Sequence, residues 1–153
     1  MNKPSFIYVT YIRSTPEKVW AALTDPQTIK KYWFGMTADC DFKSGSPWAL
    51  KFGDGRVADT GEILESDPPR RLVIRWRNEF KPELKVEGYS RCTMQVEMAD
   101  YYPDFGGKAA KLTIHHEIES EDGKFIEAVS GGWPKVISNL KSLLETGDVA
   151  FAA

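Results

Sequence analysis

At 153 residues, with 42% hydrophobic and 27% charged residues, the chain has the size and composition of one ordinary globular domain that needs no covalent staple. A formal net charge of -2 offers no basic surface for nucleic acid or anionic membrane. No apolar run approaches a bilayer span and the N-terminus lacks a signal peptide's apolar stretch, so no membrane insertion is expected and the cytoplasm is the expected compartment.

Residues 6–12 are β-branched and aromatic, which predicts a strand. Ser14 or Thr15 caps a helix with Pro16 in its first turn, and Glu17 sits three residues after Ser14 as in a capping box. Val19, Trp20 and Leu23 fall on one face of that helix. Asp25-Pro26 ends it and starts a second short helix over 27–32. Strands are predicted over 37–42, 48–52, 57–66, 71–76, 88–98 and 111–118, separated by Gly- and Pro-rich turns. The charged segment 78–87 reads as a long hairpin connection, and 100–107, with Tyr101, Tyr102 and Phe105, as a loop.

The period then changes from two to about 3.6. Phe125, Val129, Trp133, Val136, Ile137, Leu140, Leu143 and Leu144 make one helical stripe, ending at Gly147 as C-cap. Gly131, Gly132 and Pro134 either kink this helix or mark its start near Trp133. The tail from about residue 148 is expected to fray. The fold class is α+β: one antiparallel sheet, wet on one face and covered by the long helix on the other.

The order of strand, two short helices, six strands and long helix resembles the helix-grip (START-like, Bet v-like) superfamily. Five stretches sharpen the resemblance to the family named for the activator of heat-shock-protein ATPase. They are Thr15-Pro16-Glu17-Lys18-Val19-Trp20; Asp25-Pro26 with Tyr32-Trp33; Gly61-Glu62-Ile63 through Asp67-Pro68-Pro69-Arg70-Arg71-Leu72 to Trp76; Leu112-Thr113-Ile114-His115-His116; and Gly132-Trp133 before a leucine-rich helix. The resemblance implies a single START-like domain over 1–153, a curved sheet gripping the long helix, and a cavity between them. It also implies a choice of roles: carrier, polyketide cyclase or chaperone partner. The last is disfavoured, because at this length the chain is expected to lack the cochaperone's second, chaperone-binding domain.

His115 and His116 are the only histidines. Strand neighbours point to opposite faces, so they cannot share a pocket or a metal. Register with Leu112 and Ile114 turns His116 inward, as a hydrogen-bonded core residue or as an acid/base group aided by Tyr89 or Tyr8. No HxH, HExxH or cysteine cluster occurs, and no metal or cofactor is expected; Cys40 and Cys92 read as reduced thiols. The carboxylate pairs Asp39/Asp41 and Glu117/Glu119 read as solvated surface. Trp33, Trp48, Trp76 and Trp133 come from four elements around the expected cavity, and with Tyr89, Met94 and His116 they form the expected ligand-binding set. The expected function is binding of an apolar or aromatic small molecule. The alternatives are a cyclase/dehydratase- or hydrolase-like enzyme using His116 and a chaperone-associated interaction module.

Overall fold

The computed structural model describes residues 3–102 and 106–151. Seven strands and four helices follow in the order β1 (Ser5–Ile12), α1 (Pro16–Thr24), α2 (Pro26–Tyr32), β2 (Thr37–Asp39), β3 (Pro47–Lys51), β4 (Val57–Asp67), β5 (Arg71–Asn78), α3 (Pro82–Lys85), β6 (Ser90–Tyr102), β7 (Gly106–Ile118) and α4 (Lys124–Thr146). The strands form one antiparallel sheet in the order β1-β7-β6-β5-β4-β3-β2. This is the α+β helix-grip architecture expected from the sequence.

Sheet order explains the short helices. β1 and β2 are opposite edges, so α1 and α2 must carry the chain across the full width of the sheet. Thr15, rather than Ser14, caps α1 by accepting the Lys18 N–H, so the box with Glu17 does not form; Asp25 caps α2 through Thr28. The Tyr32 hydroxyl donates to the Ala22 carbonyl and locks the two helices together.

Two predicted loops are partly structured. Residues 78–87 contain the one-turn α3, whose Leu84 is buried. β6 and β7 extend into the segment expected as a loop over 100–107; Phe105 lies outside the described residues. α4 is continuous through Gly131, Gly132 and Pro134, which rules out a start near Trp133. Beyond the left-handed Gly147 cap the chain is tied back, with Asn139 accepting the Phe151 N–H and donating to the Tyr32 carbonyl. Residues 148–151 are therefore anchored rather than loose.

The core lies between the sheet and α4. β7 contributes Leu112, Ile114 and Ile118, β6 Cys92, Met94 and Val96, β5 Leu72, Ile74 and Trp76, and α4 Phe125, Trp133, Val136, Ile137 and Leu140. Burying such side chains contributes roughly 1.5–3 kcal/mol each. Met98, two residues beyond Val96 on the same strand face, is half-exposed. The outer face carries ion pairs such as Arg71–Glu65 and an exposed apolar stripe on edge strand β1: Ile7, Val9 and Tyr11.

Candidate functional site

Gly61 organises the centre of the inner face. It lies in register with Trp48 on β3 and Trp76 on β5. A Cβ here would fall 1.5 Å from the Arg75 carbonyl oxygen, so only glycine permits this approach of β4 to β5. Over it the Trp48 and Trp76 rings meet at 4.5 Å between centroids. Trp33 from the end of α2 and Trp133 from α4 complete the group, with Trp33–Trp76, Trp33–Trp133 and Trp76–Trp133 at 6.0, 5.5 and 5.7 Å. These are the offset and edge-on separations that aromatic quadrupoles favour.

His116 sits behind this group, fully buried. Trp133 Nε1–H donates to its Nδ1 at 3.1 Å. An indole nitrogen only donates, so Nδ1 carries no proton and Nε2 does. Nε2–H then donates to Ser90 Oγ at 2.8 Å, and the Ser90 hydroxyl donates to the Trp76 carbonyl at 2.8 Å. Every donor and acceptor in this chain is used once. Burial holds the His116 pKa down at about 3, with His115 pushing the same way. The imidazole is thus a neutral, saturated strut, and neither ring nitrogen has a free position for proton transfer.

The space between sheet and helix divides in two. The inner void, lined by residues including Leu23, Trp48, Leu50, Met94 and Ile137, measures about 30 Å³, room for a water or two and no ligand. A cleft of about 210 Å³ opens on the other side of Trp33, Trp76 and Trp133. These three indoles line both spaces and form the partition between them. The cleft's remaining walls are Phe80, Lys81 and Leu84 from the β5–β6 connection and Phe125, Ala128, Val129 and Gly132 from α4. Asp59 and Asn78, paired across β4 and β5, supply its buried polar groups. Asp59 Oδ1 accepts the Trp76 indole N–H at 3.0 Å. Burial raises the Asp59 pKa to about 7, the Trp76 bond opposes this, and nearby Glu79 adds to it.

Of the residues expected to contact ligand, Trp33, Trp76 and Trp133 face the cleft. Trp48 and Met94 line the inner void. His116 lines neither space. Tyr89 lies on the outer face beneath Arg75 and Arg77, at 3.7 and 4.6 Å from its ring centroid, and cannot assist His116. Tyr8 is stacked on Phe6 at the β1 edge. Among the described residues no group of three His, Cys, Asp or Glu side chains is placed to hold a metal ion. Among the described residues no helix is long and apolar enough to cross a membrane.

The sequence profile of the family described as "Activator of Hsp90 ATPase homolog 1-like protein" matches residues 13–145, nearly the whole grip from the end of β1 to the last turn of α4. The chain belongs to this family. No functionally curated protein matches it. Among solved structures it is similar to ChR145 from Cytophaga hutchinsonii, at 27% identity and a TM-score of 0.71 over 94% of this chain and 96% of that one. CalU16 from Micromonospora echinospora is 25% identical with a TM-score of 0.70, over 94% and 77% of the two chains. An HSP90 activator from Plasmodium falciparum, at 23% identity and TM-score 0.70 over 92% and 95%, shares the fold.

Within this Hsp90-activator-like frame, Asp59, Asn78, Phe80 and Leu84 were not among the residues expected at the site. One signal existed. Alternation through Leu72, Ile74 and Trp76 reaches Asn78 two residues later, a polar side chain on an inward position. Asp59 carried no such signal, because the inward row Asp59, Gly61, Ile63 has a single apolar member.

Proposed function

We propose that the protein binds a small apolar or ring-bearing molecule in the cleft bounded by Trp33, Trp76 and Trp133. The carrying observation is the division of space: the interior is closed to ligands, whereas the cleft is aromatic-walled and has two convergent polar groups. The proposed seat is thus the part of that space beside the first turns of α4. Family membership fits a binding role. A chemical role for His116 has no geometric support, since both ring nitrogens are engaged. The cytoplasm is the proposed compartment.

The experiment is a titration of tryptophan fluorescence with lipids, flavonoids and polyketide-like rings, repeated on Gly132→Leu, whose side chain would enter the cleft. Binding by a ring compound that the variant loses supports the reading. Absence of any response in the parent protein defeats it.

A second reading, a chaperone-associated module, is favoured by one observation: Ile7, Val9 and Tyr11 form an exposed apolar stripe on an edge strand. Stimulation of a purified heat-shock ATPase that is lost on Val9→Lys would establish it; no stimulation would dismiss it.

A further inference from the structure

Asp59 lies at the base of the cleft, 6% exposed, on β4. Its Oδ1 is held by Trp76, while no hydrogen bond among the described residues reaches Oδ2. No ion pair among the described residues reaches it either. The charged groups around it are accounted for elsewhere. On and after β5, Glu79 accepts from Arg77 at 2.5 Å and pairs with Lys85 of α3 at 3.3 Å. Lys81 is exposed at the rim, its ammonium 5.6 Å from the Phe80 ring centroid. The β3 partner is the apolar Leu50. The α4 wall is uncharged; the Glu87 carboxylate accepts the Phe125 N–H through Oε2, while its Oε1 has no partner among the described residues. What remains is an uncompensated carboxyl facing a space walled by Trp33, Trp76, Phe80, Phe125 and Trp133.

Two independent features of that space favour the same ligand charge. A buried carboxylate without a cation is unstable until one arrives. Aromatic faces carry negative quadrupole potential and attract ammonium groups, as Lys81 over Phe80 already illustrates. The volume of about 210 Å³ accommodates one or two rings with a short side chain.

We propose that the cleft selects small aromatic amines, the ring seated against the indole wall and the ammonium paired with Asp59. This rests on the cleft being the binding site and names the ligand class it takes. Amine binding fixes Asp59 in its ionised form. Because the carboxyl otherwise titrates near neutrality, binding below pH 7 releases a proton.

The test is calorimetric titration with phenethylamine, 3-phenylpropan-1-ol and 3-phenylpropionate, at pH 6 and pH 8 in buffers of different ionisation enthalpy. Expected at pH 8 is a preference for the amine over the alcohol and the acid of about tenfold or more, the effect of one desolvated ion pair. At pH 6 amine binding weakens roughly tenfold and releases close to one proton. In Asp59→Asn, which keeps an oxygen for the Trp76 bond, the amine-to-alcohol ratio falls towards one. Equal binding of the three compounds by the parent protein, or amine binding without proton release at pH 6, overturns the proposal. The alcohol binding without any amine preference would defeat this inference and leave the cleft reading standing. Binding by none of the three, nor by any ring compound of the wider panel, would defeat both.

Discussion

Trp133 donates its indole N–H to Nδ1 of His116, and this bond decides what the only buried histidine can do. A proton arriving at Nδ1 would face the Trp133 N–H, donor against donor. His116→Ala leaves the Trp133 N–H without its acceptor, takes from Ser90 its donor, and opens a void. We expect a loss of about 3 kcal/mol by urea denaturation. His116→Gln, which offers both an acceptor and a donor, should recover part of this. The ¹⁵N shifts of the wild-type ring should report the Nε2–H tautomer down to about pH 4.

Asp59 and His116 act on stability with opposite signs. His116 is depressed from 6.5 to about 3, so its contribution is present above pH 6.5 and is lost as pH falls towards 3. Asp59 is raised from 3.8 to about 7, so its contribution is present below pH 3.8 and is lost as pH rises through 7. Between about pH 4 and 6.5 the two oppose each other. Asp59→Asn should therefore leave the His116 loss unopposed, so that stability falls more steeply than in wild type as pH drops from about 6.5 to 4. Parallel wild-type and variant curves across that range would contradict the assignment.

Gly131 and Gly132 lie inside α4, and a Cβ at either would meet nothing within 4 Å. Each glycine costs a helix interior about 1 kcal/mol relative to alanine. Both Gly131→Ala and Gly132→Ala should raise the melting temperature, with a combined gain of up to about 2 kcal/mol. Only Gly132 lines the cleft. Its alanine variant should weaken ring-ligand binding, whereas Gly131→Ala should leave binding unchanged.

Gly61→Ala should be severely destabilising, by at least about 3 kcal/mol, because the obstacle is the Arg75 backbone rather than a movable side chain. Near-ultraviolet circular dichroism should show the Trp48–Trp76 pair disturbed even where the variant still folds.

The fold was legible because its periodicities are long and consistent. The alternation of β7 and the stripe of α4 each point one way, and they locate His116 and Trp133 on facing surfaces. What the pattern cannot carry is how space is shared. Aromatic residues fill a core as readily as they line a cavity, and the indoles of Trp33, Trp76 and Trp133 wall off the interior they were expected to open. Tyr89 is a different case, because alternation from the buried row Ser90, Cys92 and Met94 already puts it on the outer face. The polar half of the cleft depends on pairing between Asp59 and Asn78, a register relationship that neither strand announces alone.

β1 has one sheet partner, β7, with Ser5 paired to Glu117 and Ile12 to Ala110. Its far end is clasped by the last turns of α4, where the Arg13 N–H donates to Glu145 and the Lys141 ammonium to the Tyr11 carbonyl. On the ribosome β1 therefore emerges about a hundred residues ahead of anything it can pair with. Until then its stripe of Ile7, Val9 and Tyr11 and its backbone lack a sheet partner, so β1 joins the sheet late in folding rather than starting it.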